Sequence, residues 1–120
     1  MAYALGIDLG TTFSAAAVSE FGRTEIIPLG NRAAAIPSVV VVRSDGEVLI
    51  GESAERRALS EPLRTAREFK RRLGDPTPIL LGGTPYGAEA LYARMLRGIV
   101  DQVVEVRGER PSAIVVTHPA

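Results

Sequence analysis

The hydrophobic pattern of this chain changes period partway along, and that change limits the folds open to it. Up to residue 50, apolar residues fall in short runs separated by turn-forming residues. Residues 4–8 (A-L-G-I-D) make a compact apolar run that ends at the turn-prone Gly10. Residues 14–19 and 24–29 follow, with Phe21-Gly22-Arg23 between them, so a β-meander is expected. After a loop over 30–36 and Pro37, residues 38–43 (S-V-V-V-V-R) are β-branched enough for a strand. Asp45-Gly46 turns the chain back through 47–50 as a hairpin.

Helical spacing then takes over. Residues 53–60 form a helix that Pro62 breaks. Thr65-x-x-Glu68 carries a capping-box signature, which predicts a second helix closed by Gly74. Residues 75–87 hold three prolines and three glycines around Ile79-Leu80-Leu81, predicting a short strand or an irregular connection. In 88–106, Leu91, Met95, Ile99 and Val103 recur every four residues, widened by Leu96 and Val106. Gly98 inside that helix costs about 1 kcal/mol relative to alanine, which points to close packing there. Residues 113–117 (A-I-V-V-T) end the pattern as a buried strand. Strands, helices and a further strand give an α/β class.

Composition removes several functions. The 120 residues are 46% hydrophobic and 23% charged with formal net charge zero, the balance of one soluble globular domain. A neutral chain offers no broad footprint for nucleic acid, and no run approaches the ~18 apolar residues of a membrane segment. Asp8 interrupts the first apolar stretch and no basic segment precedes it, so a signal peptide is not expected. Cysteine is absent and His118 is the sole histidine, which excludes disulfides, thiolate chemistry and histidine-rich metal sites. A cytoplasmic location is the expectation. Thirteen of the fourteen basic residues are arginine, and the single lysine, Lys70, is either chance or the mark of a site that needs a compact ammonium.

The chemistry concentrates in Gly6-Ile7-Asp8-Leu9-Gly10-Thr11-Thr12, where a strand enters a turn. Gly10 lets backbone come close to a ligand, and successive N–H groups at Thr11, Thr12 and Phe13 can face phosphate oxygens. Asp8 at the strand end suits hydrated Mg²⁺, which keeps most of its waters and uses few carboxylates. The bland alternative is a strand ending in a polar turn. Neither G-x-x-x-x-G-K-[ST] nor G-x-G-x-x-G occurs, so phosphate binding here would use a β-hairpin and not a helix N-terminus.

The string G-I-D-L-G-T-T-F-S resembles the first phosphate loop of the actin-like ATPase superfamily, which includes DnaK-type chaperones, sugar kinases and bacterial actins. Three further segments resemble the seventy-kilodalton heat-shock (DnaK-type) chaperones. These are Gly30-Asn31-Arg32 with Pro37-Ser38-Val39-Val40, Gly51-Glu52-Ser53-Ala54 with Arg56-Arg57-Ala58, and Phe69-Lys70-Arg71-Arg72-Leu73-Gly74. Pro119-Ala120 matches the start of the family's V-P-A, with His118 in place of the valine. The resemblance implies residues 1–120 as the first part of an actin-like (ribonuclease H-like) ATPase domain, ending before the second lobe. It implies Mg²⁺-bound ATP or ADP as ligand. Asp8 would organise the waters of Mg²⁺. Gly10, Thr11, Thr12 and the Phe13 backbone would contact the β- and γ-phosphates. Lys70 would be catalytic beside the γ-phosphate, and Pro119 would match the switch proline.

The departures carry expectations of their own. The family's long β-rich excursion between the K-R-x-x-G segment and the next helix is reduced here to residues 75–87. Residues 33–36 lack the family's threonines before P-S. A hairpin without an opposing lobe implies a fragment too incomplete to hydrolyse ATP, with protein clients and cochaperones expected only for a full-length protein. Alternatives are a fragment of a sugar or metabolite kinase of the same superfamily and a non-enzymatic binding module. Alone, the chain is expected to expose residues 114–116 and the helix stripe, inviting self-association.

Overall fold

A computed structural model describes residues 3–29 and 35–117, the last by its backbone only. Gly30-Asn31-Arg32, most of the 30–36 loop and His118-Pro119-Ala120 lie outside the described residues. The meander forms as its alternation dictates. Strands β1 (Ala4–Leu9), β2 (Phe13–Glu20) and β3 (Arg23–Ile27) pair antiparallel in sequence order. The short β4 (Ile36–Pro37) joins the first residues of β2. Three antiparallel strands, β5 (Val39–Val42), β6 (Val48–Ile50) and β7 (Thr65–Arg67), make a second sheet with β5 central. A hairpin of β8 (Ile79–Leu81) and β9 (Thr84–Tyr86) fills the connection left open between strand and irregular structure. The helices are α1 (Gly51–Ala58) and α2 (Ala88–Arg107), and β10 (Ala113–Thr117) lies parallel to β1 at the edge of the main sheet.

One side of the main sheet supplies the core. Leu5, Ile7 and Leu9 of β1 and Ala16 and Val18 of β2 point inward, and α2 buries Leu91, Met95, Ile99 and Val103 in the same cluster. Strand β5 is buried on both faces, which explains four consecutive valines. Val40 and Val42 join the main core, while Val39 and Val41 pack with Ala54 of α1. Gly98 does mark a close approach. A Cβ there would lie 2.3 Å from Cδ1 of Ile50, so a side chain at that position would require the Ile50 side chain to shift.

Three expectations are corrected. Thr65-x-x-Glu68 caps no helix. Residues Thr65–Arg67 are strand β7, paired with Val39, Val40 and Val41, and the Thr65 hydroxyl donates to the Glu61 carbonyl. Only a four-residue 3-10 helix, Phe69–Arg72, follows. Ladder bonds to a central strand and burial of Ala66 outweigh a local capping preference. The helix stripe is not exposed either: Leu91, Met95, Ile99 and Val103 are fully covered, and only Val106 stands out. Strand β10 forms as expected but is not the buried strand its apolar run suggested; Ile114 at 49% and Val115 at 60% show the exposure expected for the chain alone. It is an edge strand with no neighbour on its outer side among the described residues.

Candidate functional site

Strands β1 and β2 are joined by Gly10, Thr11 and Thr12, the turn singled out by its sequence. The Gly10 N–H donates to the Phe13 carbonyl at 3.0 Å. A Cβ on residue 10 would sit 2.4 Å from that same oxygen, so the turn itself requires glycine before any ligand is considered. The N–H groups of Thr11 and Thr12 donate to no protein atom among the described residues. Both residues line a cleft of about 380 Å³, together with Phe13, Pro37, Ser38, Arg67 and Glu68. Unpaired backbone donors at a concave surface suit an anion.

Lys70 reaches this turn from 61 residues along the chain, its ammonium donating to the carbonyl of Leu9 at the end of β1. The backbone bends there to allow it. Glu68 adopts φ 50°, a left-handed conformation uncommon for a residue with a side chain, between β7 and the Phe69–Arg72 helix. Phe69, directly after this bend, is buried in the core and anchors it there. Asp8 lies on β1 opposite Ala15 of β2 and Thr117 of β10, on the outward side of the strand. The Tyr92 phenol on α2 is pushed up from its ordinary value, first by burial and then by the negative charge of Asp8. Among the described residues no cluster of three or more acidic or histidine side chains could ligate a metal directly.

Lys70, Gly10, Thr11, Thr12 and the Phe13 backbone are therefore brought to one end of the β1–β2 hairpin, with Asp8 two residues before the turn. Two features escaped the sequence reading. Ser14 and Ser38 are buried polar residues whose hydroxyls lie 2.7 Å apart, and Ser38 bonds to the turn itself. Arg67, on the cleft wall, forms a two-pronged pair with Glu55 at 2.8 and 2.9 Å, which raises the guanidinium pKa mainly through that hydrogen bond. The P-S pair was visible in the sequence, but nothing local distinguishes a buried hydroxyl from an exposed one.

Comparison with known proteins places this geometry in context. The family profile described as Hsp70 protein matches residues 4–78, more than half of the chain. The chaperone protein DnaK of Endomicrobium trichonymphae is 39% identical over 126 aligned positions, and that of Elusimicrobium minutum 38% over 124. Each alignment covers the whole of this chain and 20% of the relative, so the chain spans about a fifth of the length of these curated relatives.

Proposed function

The chain belongs to the Hsp70 family, and from that premise we propose that its β1–β2 turn is one half of a Mg-ATP site. One observation carries the reading: the sole lysine crosses 61 residues to the root of a turn whose Thr11 and Thr12 N–H groups have no partner among the described residues. The fit is chemical as well as spatial. Thr11 and Thr12 would offer donors to the β- and γ-phosphates, Gly10 keeps the turn tight, and the Lys70 ammonium, held at the Leu9 carbonyl, would stabilise charge spreading over the phosphoryl oxygens. Asp8 carries its carboxylate on the exposed side of β1, where it can hold the waters of a hydrated Mg²⁺ without further protein ligands.

When bound, Mg-ATP supplies the reactive phosphoanhydride and most of the local charge. The protein's part is positioning. The turn fixes the phosphate tail, Lys70 stabilises negative charge as it develops, and Asp8 orients solvent around the cation. An open turn in water makes each N–H contact worth little net, so hydrolysis requires an opposing lobe that closes over the nucleotide. In the complete protein the site would couple ATP binding and hydrolysis to the holding and release of protein clients, with cochaperones acting on the same cycle. The exposed edge of β10 would let the chain associate with itself when alone, which light scattering would detect.

Kinetics on the complete protein test the reading. Lys70→Ala should lower ATP turnover by about 10²-fold or more while nucleotide affinity stays within about threefold. Near-normal turnover removes Lys70 from the reaction. Calorimetric titration of Mg-ATP into the 120-residue chain should show weak binding without turnover. Tight binding or hydrolysis by this chain would refute the need for a second lobe, and a cooperatively folded monomer that ignores nucleotide would favour a plain binding module.

A further inference from the structure

The turn does not hold its shape by itself. Ser38, at the junction of β4 and β5, is bonded to it twice. Its hydroxyl donates to the Gly10 carbonyl at 2.8 Å, and its backbone N–H donates to the Thr12 carbonyl at 2.8 Å. A carbonyl can only accept, so the single hydroxyl hydrogen of Ser38 is committed to Gly10. The 2.7 Å contact between the two serine hydroxyls then has one possible direction: Ser14 donates to Ser38. The result is a directed chain from the Ser14 hydroxyl through the Ser38 hydroxyl to the Gly10 carbonyl. Both serines are almost fully buried, at 1% and 3% exposure, where competing water is excluded.

The consequence follows from peptide geometry. In a trans peptide the C=O of one residue and the N–H of the next point in opposite directions, and the chain contains no cis peptide among its described residues. Drawing the Gly10 carbonyl onto Ser38 therefore turns the Thr11 N–H away from the buried serines. Drawing the Thr12 carbonyl onto Ser38 turns the Phe13 N–H away in the same manner. We propose that Ser38, oriented by Ser14, is a positioning residue that aims the anion-facing N–H groups of the Gly10–Thr12 turn. Ser38 touches no ligand in this role; it acts through the backbone. The inference rests on the nucleotide reading for the identity of the anion, but the orientation of the turn is a property of the protein alone.

Two measurements on the 120-residue chain separate these levels. Amide hydrogen exchange reads the turn without ligand. Ser38→Ala should speed exchange at Gly10 and at residue 38 by about tenfold, and Ser14→Ala by less, while amides inside α2 stay unchanged. Nuclear magnetic resonance titration with inorganic phosphate then reads the anion. Wild-type Thr11 and Phe13 amides should shift, and Ser38→Ala should need about tenfold more phosphate for the same response. Restoring a hydroxyl in Ser38→Thr should recover part of that response, which a general packing role would not do. Unaltered exchange and an unaltered phosphate response in both variants would overturn the inference and leave the nucleotide reading standing. A wild-type turn whose amides ignore phosphate would remove both.

Discussion

Strand β2 begins and ends in a tight turn, and the two turns are stabilised in opposite ways. At its start, the Gly10–Thr12 turn is gripped from outside. Ser38 holds two of its carbonyls and Lys70 caps the strand that enters it. At its far end, Phe21-Gly22 carries left-handed φ values of 53° and 76° on two successive residues, the signature of a two-residue hairpin. Nothing lies within 4 Å of a Cβ built on Gly22, and Phe21 is 75% exposed. Nearby, the strand ends are tied by Tyr3, whose hydroxyl donates to the Glu109 carbonyl at 2.7 Å. Arg107 stacks on the Tyr3 ring and pairs with Glu20 at 2.6 Å. Local conformation makes one turn; distant residues make the other. A turn held by partners from two other segments is a natural place for a binding function, because its donors can be aimed independently of its own side chains.

Substitutions can break this contrast, and the largest effect is expected at Gly10. Gly10→Ala should cost about 3 kcal/mol in urea denaturation, because the new methyl meets a backbone oxygen that cannot step aside. The matching change Gly22→Ala meets only the left-handed strain of its own φ and should cost about 1 kcal/mol. Equal costs would erase the distinction between the turns. Tyr3→Phe should also lose about 1 kcal/mol by removing the hydroxyl's bond to the Glu109 carbonyl, with phosphate response at the opposite end of β1 unchanged. The smallest effect has the opposite sign. Phe21→Asn installs the Asn-Gly pair that this turn geometry favours and should stabilise by about 0.5 kcal/mol.

Tyr3 adds a pH dependence at that second end. Burial raises its phenol pKa above the usual value, and Arg107 only partly opposes this. A raised folded-state pKa means the unfolded chain ionises first. The contribution to stability is therefore complete below about pH 10 and is lost as pH rises through the folded value. Denaturation midpoints measured across alkaline pH should fall in the wild type and fall less steeply in Tyr3→Phe.

Much of this was legible in the residues. The meander, the Asp45-Gly46 hairpin, the first helix and the long helix over 88–106 arose from patterns of two and of about four that fix which face is apolar. The turn sequence and the lone lysine also named the site components, and the family match supports the chaperone resemblance built on them. The misreadings share a cause. Thr65-x-x-Glu68 obeys a helix rule locally, yet β5 lies alongside and offers three ladder pairs. Residues 113–117 are as apolar as a buried strand, yet β10 ends at an edge. Neither neighbour is visible from within its own segment.

By itself, then, the sequence determined the period of each element, the need for glycine at position 10 and the chemical identity of the groups available to a phosphate. Those properties belong to single residues and their immediate neighbours. Tertiary structure alone decided that Lys70 meets Leu9, that Ser38 meets Gly10 and Thr12, and that β5 is covered on both faces where β10 is not. Those contacts join residues 26 to 61 positions apart, or strands on different sheets. They exist only once burial of the common core has brought the segments together.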